Sequence, residues 1–199
     1  MISEHSFAAI DFESAGAQRG KTDVPVQLGM SIWSPCNGHS NPFVSFIRAD
    51  QPITWAASKV HGITTHDLED APSLPLLWPK IKATLSGRMV VAHGHGTEKR
   101  YLRNFPGHGF GPWVDTLLLS RAAWPDLKSH GLGDLCEHFG LTNKINDLVP
   151  DKTWHDALYD ATASLVLLEY LIQQFKLAES ATDILIHPDN TEWHRLRRQ

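Results

Sequence analysis

Four acidic side chains in this sequence stand just beyond or within apolar segments, in places where they could meet. Asp11 and Glu13 follow the apolar run Phe7–Ile10. Alternate residues of a strand face the same side, so both carboxylates would emerge together. Glu98 follows a second apolar run, and Asp160 lies about one turn into a long apolar helical segment. Like charges held side by side repel each other unless a cation lies between them. The four acids therefore predict a site for divalent cations.

The chemistry that such a site supports is phosphodiester cleavage. Oxygen ligands favour Mg²⁺ or Mn²⁺ over zinc. Two such ions about 3.5–4 Å apart would stabilise the attacking and leaving oxygens of an in-line phosphoryl displacement. His155 stands at the start of the helical segment that carries Asp160, where it could take a proton from the attacking water. The residue types therefore predict a metal-dependent hydrolase that uses two ions.

These residues lie in ordered motifs that resemble those of the DnaQ-like, DEDDh-type 3′–5′ exonucleases. The first motif reads DFESAG over residues 11–16, and the third reads HDALYDA over residues 155–161. The second reads VAH over residues 91–93, followed by Glu98, where the family usually has aspartate, and by Tyr101 and Leu102. Intervening signatures are VHGIT over residues 60–64 and VDT over residues 114–116. The resemblance covers about residues 7–175, and among its departures Gln27 stands where the family often has glutamate.

The resemblance implies a role for each residue of the predicted metal site. Asp11 would bridge both metals, while Glu13 and Asp160 would hold the metal that activates water. His155 would be the general base. Glu98 would replace the second-motif aspartate, which usually supports the second metal. All five residues are therefore candidate catalytic residues.

The resemblance also implies contacts with the nucleic acid. Ser14 and the backbone around Ala15 would contact the sugar of the terminal nucleotide, and Phe12 lies close enough for stacking or packing. The full set of candidate substrate-binding residues is Phe12, Ser14, Ala15, His61, Ile63 and His93. A zinc site at His93 and His95 is a minor alternative, because no third soft ligand lies nearby in the sequence.

The implied function is a 3′–5′ exonuclease that releases nucleoside monophosphates from single-stranded ends. DNA is the favoured substrate, in proofreading or repair trimming, with a polymerase as a candidate partner. An RNA 3′-end exoribonuclease is the first alternative. A catalytically weakened nucleic-acid-binding or polymerase-associated module is the second, with Glu98 as its first sign. Retention of Asp11, Glu13, His155 and Asp160 argues against that second alternative.

Apolar runs and helical spacing predict the elements that position these residues. Strands are predicted over 7–10, 24–33 and 43–47 as an antiparallel meander, then over 89–92 and 113–116. Helices are predicted over 55–59, 74–85, 97–104, 117–123, 132–139 and 156–175. This order predicts an α/β fold. Together with the resemblance, it indicates a ribonuclease H-like mixed central sheet, an antiparallel meander followed by parallel strands, flanked by helices.

The chain divides by pattern into a predicted exonuclease domain, residues 1–176, and a C-terminal extension, residues 177–199. The extension loses helical periodicity and ends in a basic run, so we expect it to be loosely attached. Earlier in the chain, Trp33, Trp55, Trp78 and Trp113 fall on faces of predicted elements, so most are expected in the core. Lys99, Arg100 and Arg103 form a basic stripe that could face solvent or guide a phosphate backbone.

The charge balance constrains how the protein could handle a polyanion. Eighteen basic and twenty-two acidic residues give the 199-residue chain a net charge of −4, which excludes binding by bulk positive charge. Two divalent ions at the acidic cluster would locally reverse that sign. No segment approaches the roughly 20 apolar residues of a membrane span. The N-terminus lacks the pattern of a signal peptide, so a cytoplasmic protein is expected, with its oligomeric state open.

Overall fold

The computed structural model describes residues 1–198. In this part of the chain one mixed sheet has five strands in the order β3-β2-β1-β4-β5. The strands are β1 (Phe7–Ser14), β2 (Pro25–Ser34), β3 (Gly38–Phe46), β4 (Met89–Ala92) and β5 (Trp113–Asp115). Strands β1, β2 and β3 form an antiparallel meander, whereas β4 runs parallel to β1 and β5 runs parallel to β4. The predicted α/β class and the predicted mixed sheet, an antiparallel meander followed by parallel strands, are confirmed.

Helices cover both faces of the sheet. Those in residues 1–198 are α1 (Trp55–His61), α2 (Trp78–Leu85), α3 (Gly96–Leu102), α4 (Thr116–Ala123), α5 (Leu132–His138), α6 (Thr142–Leu148), α7 (Ala157–Gln174), α8 (Asp183–Ile186) and α9 (Asn190–Leu196). Within this described part, no helix is both long and apolar enough to cross a lipid bilayer.

Strand β1 is buried on both faces because it lies at the centre of the sheet. Phe7 and Ala9 belong to the core on the side of α7, while Ala8 and Ile10 belong to the core on the side of α2. The continuous apolar run at the start of β1 is what such a doubly covered strand requires. After Ile10 the face towards α7 carries Asp11 and Glu13, while Phe12, on the face towards α2, stays buried in the core.

The predicted helix over residues 74–85 is divided in the structure. A 3₁₀ turn covers Leu74–Leu77, and α2 begins anew at Trp78. Pro79 explains the break, because it has no backbone N–H to donate to the carbonyl four residues earlier. Helix α6 was not predicted, and it has Ile145 as its buried residue. A single apolar anchor gives too little periodic signal for a prediction.

The expected loose attachment of the C-terminal extension is wrong for the residues that the structure describes. Trp193 of α9 is fully buried, and its ring meets that of Phe175 edge to face at 5.1 Å. The Arg197 guanidinium donates to the carbonyl of Ala122 on α4. Asp189 caps α9 by accepting from two backbone N–H groups. One large buried side chain thus anchors a segment whose sequence shows no periodicity; Gln199 lies outside the described residues.

The tryptophans divide between core and surface. Trp33 is 4% exposed, as expected, and Trp78 and Trp113 pack at the edge of the core. Trp55 is 77% exposed, so its expected place in the core is wrong. Helix α1, which carries it, has no buried residue, and its helical spacing therefore reflects a partly apolar surface.

Candidate active site

Strand β1 brings Asp11 and Glu13 to its carboxyl end on one face of the sheet. Asp11 lies opposite Gly29 of β2, and Glu13 lies opposite Gln27. Both acids precede a register shift between Glu13 and Ser14, where the strand begins to leave the sheet. The two carboxylates are therefore fixed by the regular part of a central strand, as the alternation of the sequence predicted.

The start of α7 rests directly on β2. A Cβ atom at position 29 would lie 2.0 Å from the Ala157 carbonyl carbon, so only glycine permits this approach. Beside it, the buried Gln27 side chain accepts a hydrogen bond from the Ala157 N–H at 2.9 Å. Nε2 of the Gln27 side chain donates to Asp156 Oδ2 at 3.2 Å. Gly29 and Gln27 thus seat the first turn of α7 across from Asp11 and Glu13.

Asp156 and its neighbours complete this junction. The Asp156 carboxylate caps α7 by accepting from the Leu158 N–H, and Lys152 Nζ donates to it at 2.9 Å. His155, the preceding residue, has a φ of +67°, in the left-handed region. This turn places the exposed His155 ring at the mouth of the site.

Three side chains offer ligand atoms close enough to share one ion. Donor atoms of Glu13, His155 and Asp160 all lie within 4.8 Å of one another. Asp11 and Glu98 are not in this compact group, but the Glu98 carboxylate is the strongest charged influence on Asp11. Glu98 lies in the first turn of α3, directly beyond β4, and is 5% exposed. The structure therefore brings the five predicted catalytic residues to one place.

The carboxylates of the site carry strongly raised pKa values. Burial, followed by the charges of Glu98 and Asp160, raises the pKa of Asp11 well above its ordinary value. Burial and then the charge of Asp160 raise the pKa of Glu13 to about 8. Burial is also the main cause that raises the pKa of Glu98 and of Asp160 to about 7. The chain alone thus opposes the ionised form of all four acids.

Two buried oxygens of this site have no hydrogen-bond partner among the described residues. They are Glu98 Oε2 and Asp160 Oδ1. A buried carboxylate oxygen without a partner is costly, and a divalent cation would satisfy it. Four carboxylates form an oxygen donor set that suits Mg²⁺ or Mn²⁺. The residues present therefore fit the metals that the sequence predicted.

The segment after Glu13 is held by the loop and helix that follow β3. The Ser14 carbonyl accepts from His61 Nε2 at 3.0 Å, and the Ala15 carbonyl accepts from the Thr54 N–H at 2.7 Å. The Ile63 N–H donates to His61 Nδ1, so both ring nitrogens of His61 are used within the protein. His61 and Ile63 therefore position the Ser14 backbone, and their contact with substrate stays a prediction.

Two more predicted substrate contacts have structural roles. His93 Nε2 donates to the His130 carbonyl at 2.8 Å, and Nδ1 lies 2.9 Å from the Thr116 hydroxyl. No ring nitrogen of His93 is left for a nucleotide. Phe12 is 6% exposed and meets Tyr101 edge to face at 5.3 Å, so it packs rather than stacks on a base. Of the predicted contacts, the Ser14 side chain stays accessible, whereas Ala15 and Ile63 are buried.

The other histidine and basic features near α3 are also engaged. His95 Nε2 lies 2.9 Å from Lys99 Nζ, and Lys99 lies over the Trp113 ring at 5.1 Å. A zinc site at His93 and His95 therefore has no support among the described residues. Arg100 pairs with Asp23 at 3.4 Å. Arg103 is thus the member of the predicted basic stripe for which the structure describes no ionic or stacking contact.

Sequence reasoning missed the residues that join β2 to α7. Gln27 was noted as a departure from the family, but its bonds to Ala157 and Asp156 were not predicted. No role was predicted for Gly29. A usable signal was present, because a polar residue and a glycine interrupt an otherwise apolar strand. Glycine inside a strand often marks a close approach of another backbone.

Comparison with known proteins agrees with this geometry. The RNase T family model, described as Exonuclease, matches residues 8–168. Exodeoxyribonuclease 10 of Escherichia coli K12 is 29% identical over 185 residues, which cover 90% of this chain and 74% of that enzyme. The PolC-type DNA polymerase III of Streptococcus pneumoniae D39 is 26% identical over 207 residues, 98% of this chain. The chain spans only 14% of the length of that polymerase.

Solved structures share the fold. Exonuclease X in complex with 5′ overhanging duplex DNA superposes with a TM-score of 0.67 at 27% identity, covering 84% of this chain and 91% of that one. The nuclease domain of 3′hExo, a DEDDh family member bound to rAMP, gives a TM-score of 0.66 at 15% identity, covering 87% and 95%. The chain therefore belongs to the RNase T exonuclease family and has the ribonuclease H-like fold of the DnaQ-like exonucleases.

Proposed function

We propose that this protein is a metal-dependent 3′–5′ exonuclease that releases nucleoside monophosphates from single-stranded ends, with DNA favoured. The observation that carries the proposal is the convergence of Asp11, Glu13, Glu98 and Asp160 beside His155, with two buried oxygens left without partners. Similarity to exodeoxyribonuclease 10 and to an exonuclease bound to DNA supports DNA over RNA. Proofreading or repair trimming is the corresponding role.

The acids would hold two divalent ions. Glu13 and Asp160 would hold one ion together, Asp11 would contribute to both, and Glu98 would support the second. When bound, the ions would neutralise the carboxylates and stabilise the attacking and leaving oxygens of the phosphoryl transfer. Gly29 and Gln27 keep these acids together, because they fix the start of α7 against β2.

His155 would act as the general base on the attacking water. Its ring is exposed at the site mouth, and its donor atom lies within 4.8 Å of carboxylate oxygens of Glu13 and Asp160. The turn that carries the ring is held by the Asp156 N–H, which donates to the Thr153 carbonyl at 3.1 Å, and by the cap that the Asp156 carboxylate forms on α7. A His155→Ala variant should lose about 10²–10⁴-fold in kcat, the usual range for a lost general base. Metal affinity measured by calorimetry should change much less, and a loss of only a few-fold in kcat would refute the role.

The end of the strand would be oriented by the segment after β1. The accessible Ser14 side chain and the backbone around Ala15 would contact the terminal sugar. Bonds from His61 and Thr54 to the carbonyls of these two residues hold the segment still. The order imposed on this backbone supports positioning of the 3′ end next to Asp11 and Glu13.

Release of mononucleotides tests the proposal directly. Labelled single-stranded DNA and RNA are incubated with Mn²⁺ and either wild-type protein, the Asp11→Asn variant, or the Asp126→Asn variant as a control at an exposed acid. Wild type and Asp126→Asn should release mononucleotides from the 3′ end of DNA, and Asp11→Asn should not. Faster release from RNA would favour the exoribonuclease alternative. No release from either substrate would favour a weakened nucleic-acid-binding module.

A polymerase is the proposed partner. Support comes from the PolC-type polymerase, whose matched segment aligns with 98% of this chain. Excision of a mismatched terminal nucleotide should be faster when the replicative polymerase of the same organism is added. Unchanged excision would argue against the partnership. We assign catalysis to residues 1–176, with residues 177–199 as an extension, and the cytoplasmic location stays a prediction.

A further inference from the structure

Helix α1 presents an aromatic surface to solvent beside the active site. Trp55 is 77% exposed and Val60 is 56% exposed, although both are large apolar side chains. None of the helix's own residues is buried, so α1 is not held in place by a packed apolar face. The exposed Trp55 ring is therefore open to contact with another molecule.

Polar contacts fix α1 to the segment that follows the catalytic strand. The Thr54 N–H donates to the Ala15 carbonyl, and His61 donates to the Ser14 carbonyl, so both ends of the helix are tied to the same few residues. Gly16 lies under the helix, since a Cβ there would be 2.3 Å from Thr54 Oγ1. Trp55 therefore stands at a set position next to the place proposed for the 3′ end.

A lysine lies over this exposed ring, and further basic residues lie on the adjoining loop. Lys59 Nζ lies 4.9 Å from the centre of the Trp55 ring and covers part of one face. The adjoining loop carries Arg19 and Lys21, both exposed, and Asp50 is an exposed acid on the neighbouring segment. Exposed aromatic rings among cations are the composition of surfaces that bind single-stranded nucleic acid.

Hydrogen bonds hold the basic loop next to α1. Gln18 Nε2 donates to the Pro52 carbonyl at 2.7 Å, and Gln51 Nε2 donates to the Thr22 carbonyl at 3.2 Å. The loop therefore stays beside the segment that leads into Trp55. A strand whose end enters the active site would cross this surface with its bases near the ring and its phosphates near the lysines.

We propose that Trp55 stacks on an unpaired base of the substrate strand, while Lys59 contacts the adjacent phosphate. The inference rests on the proposed function and extends it with a platform outside the metal site. Stacking on an aromatic ring does not depend on which base is present, so the platform favours single-stranded over fully paired ends without reading sequence. Its contribution should appear in substrate binding rather than in the chemical step.

Kinetics with a long and a minimal substrate test whether Trp55 acts in substrate binding rather than in the chemical step. Trp55→Ala should raise KM for a single-stranded oligonucleotide by roughly 5- to 150-fold, the range expected for one lost stacked base. It should leave kcat, and hydrolysis of the p-nitrophenyl ester of thymidine 5′-monophosphate, within about twofold. Trp55→Phe should restore most of the affinity. Leu118→Ala, a change at another exposed apolar residue, is the matched control. Unchanged KM in Trp55→Ala would overturn the proposal.

A binding measurement tests the platform without turnover. Oligonucleotides carrying 2-aminopurine at successive positions from the 3′ end are bound to wild-type protein in Ca²⁺. Fluorescence should be quenched at one or two positions, and Trp55→Ala should abolish that quenching while Leu118→Ala should not. Equal quenching in wild type and Trp55→Ala would overturn the stacking role. If wild type quenches but cleaves nothing, the platform stands and the proposed nuclease function fails.

Discussion

Helix α7 carries two carboxylates in opposite circumstances. Glu169 accepts hydrogen bonds from Lys144 Nζ at 2.7 Å and from His39 Nε2 at 2.8 Å. Burial opposes its charge, but the bonds from His39 and Lys144 outweigh burial and lower the pKa of Glu169 below its ordinary value. Asp160, on the same helix, has one unpartnered oxygen and a pKa raised to about 7, mainly by burial.

This difference shows that the fold can pair an acid on α7 with basic side chains, and it does so at Glu169, for which we propose no catalytic role. At the first turn of the same helix, the one nearby lysine, Lys152, donates to Asp156 instead of Asp160. Asp11, Glu13 and Asp160 are left with one another's charges. The acid cluster therefore lacks a cation that the chain itself could have supplied, and this supports a cation from outside.

Replacing Asp160 and Glu169 each by its amide should give the largest difference between the two sites. Asp160→Asn should lower kcat for release of mononucleotides by at least about 100-fold, since it removes a charged ligand. Glu169→Gln should leave kcat within a few-fold but cost about 1–3 kcal/mol of unfolding free energy, because His39 and Lys144 lose a charged acceptor. Quenched-flow kinetics and urea unfolding measure the two effects. Equal kinetic losses in both variants would remove the distinction.

In the metal-free protein, the contributions of Asp160 and Glu169 to the unfolding free energy should change with pH in opposite directions. The folded-state pKa of Asp160 is raised from 3.8 to about 7, so the folded protein binds more protons and its unfolding free energy falls as pH rises through that window. Glu169, with a lowered pKa, adds stability above its unfolded pKa and loses it on acidification. Each pKa unit corresponds to about 1.4 kcal/mol.

Thermal unfolding in a chelator between pH 3 and pH 8 measures these signs. The advantage of Asp160→Asn over wild type should grow as pH rises from 3.8 to about 7, whereas the disadvantage of Glu169→Gln should be constant above about pH 5 and shrink on acidification below pH 4.5. Because each variant is compared with wild type at the same pH, ionisable groups that contact neither Asp160 nor Glu169 contribute equally to both curves and cancel. A flat difference for Asp160→Asn would contradict the raised pKa.

Metal addition should stabilise the acid cluster alone. At pH 8, Mn²⁺ at 100 times its dissociation constant should add about 2.7 kcal/mol to the unfolding free energy of the wild-type protein. Glu169→Gln should show the same gain, and Asp160→Asn should show much less. Differential scanning calorimetry with and without Mn²⁺ gives the result. A gain of equal size in Asp160→Asn would place the ion elsewhere.

Glu98→Asp should have the smallest effect. Shortening the side chain withdraws its carboxylate by about 1.5 Å from the position that faces Asp11. Since Glu98 is buried with Oε2 unpartnered, we expect weaker metal binding by less than about tenfold, with kcat lowered by a similar factor. Glu69→Asp, at an exposed acid, is the control. Tighter metal binding in Glu98→Asp would show that glutamate weakens the site.

Local patterns were sufficient to predict the elements that carry the acids. The apolar run before Asp11 and the helical spacing around Asp160 depend on residues that are neighbours in the chain. Ordered motifs then associated Glu13, Glu98 and His155 with the same site, and the structure brings all five residues together. The positions of the strands along the chain were predictable for the same reason, because they are short apolar runs separated by clear breaks, and the resemblance indicated how they combine into a mixed sheet.

Contacts between distant segments were not predictable in this way. The bond between Gln27 and Ala157 joins residues 130 positions apart, and no local pattern displays it. Whether an isolated side chain is buried also depends on distant residues. Trp55 was expected in the core and is exposed, whereas Trp193 lies in a segment expected to be loosely attached and is buried. The bonds that both ring nitrogens of His61 and of His93 form within the protein were likewise not predictable from neighbouring residues, and substrate contact by these histidines stays a prediction.

The backbone contact between Gly29 and Ala157 also limits the motion of the site. No side chain separates β2 from α7 at this point, so no rotamer change can alter the spacing between the strand that carries Asp11 and the helix that carries Asp160. Rotamer changes occur in picoseconds to nanoseconds, whereas separation of a helix from a sheet is a local unfolding event of microseconds or longer. The distance between these acids should therefore stay constant throughout a catalytic cycle.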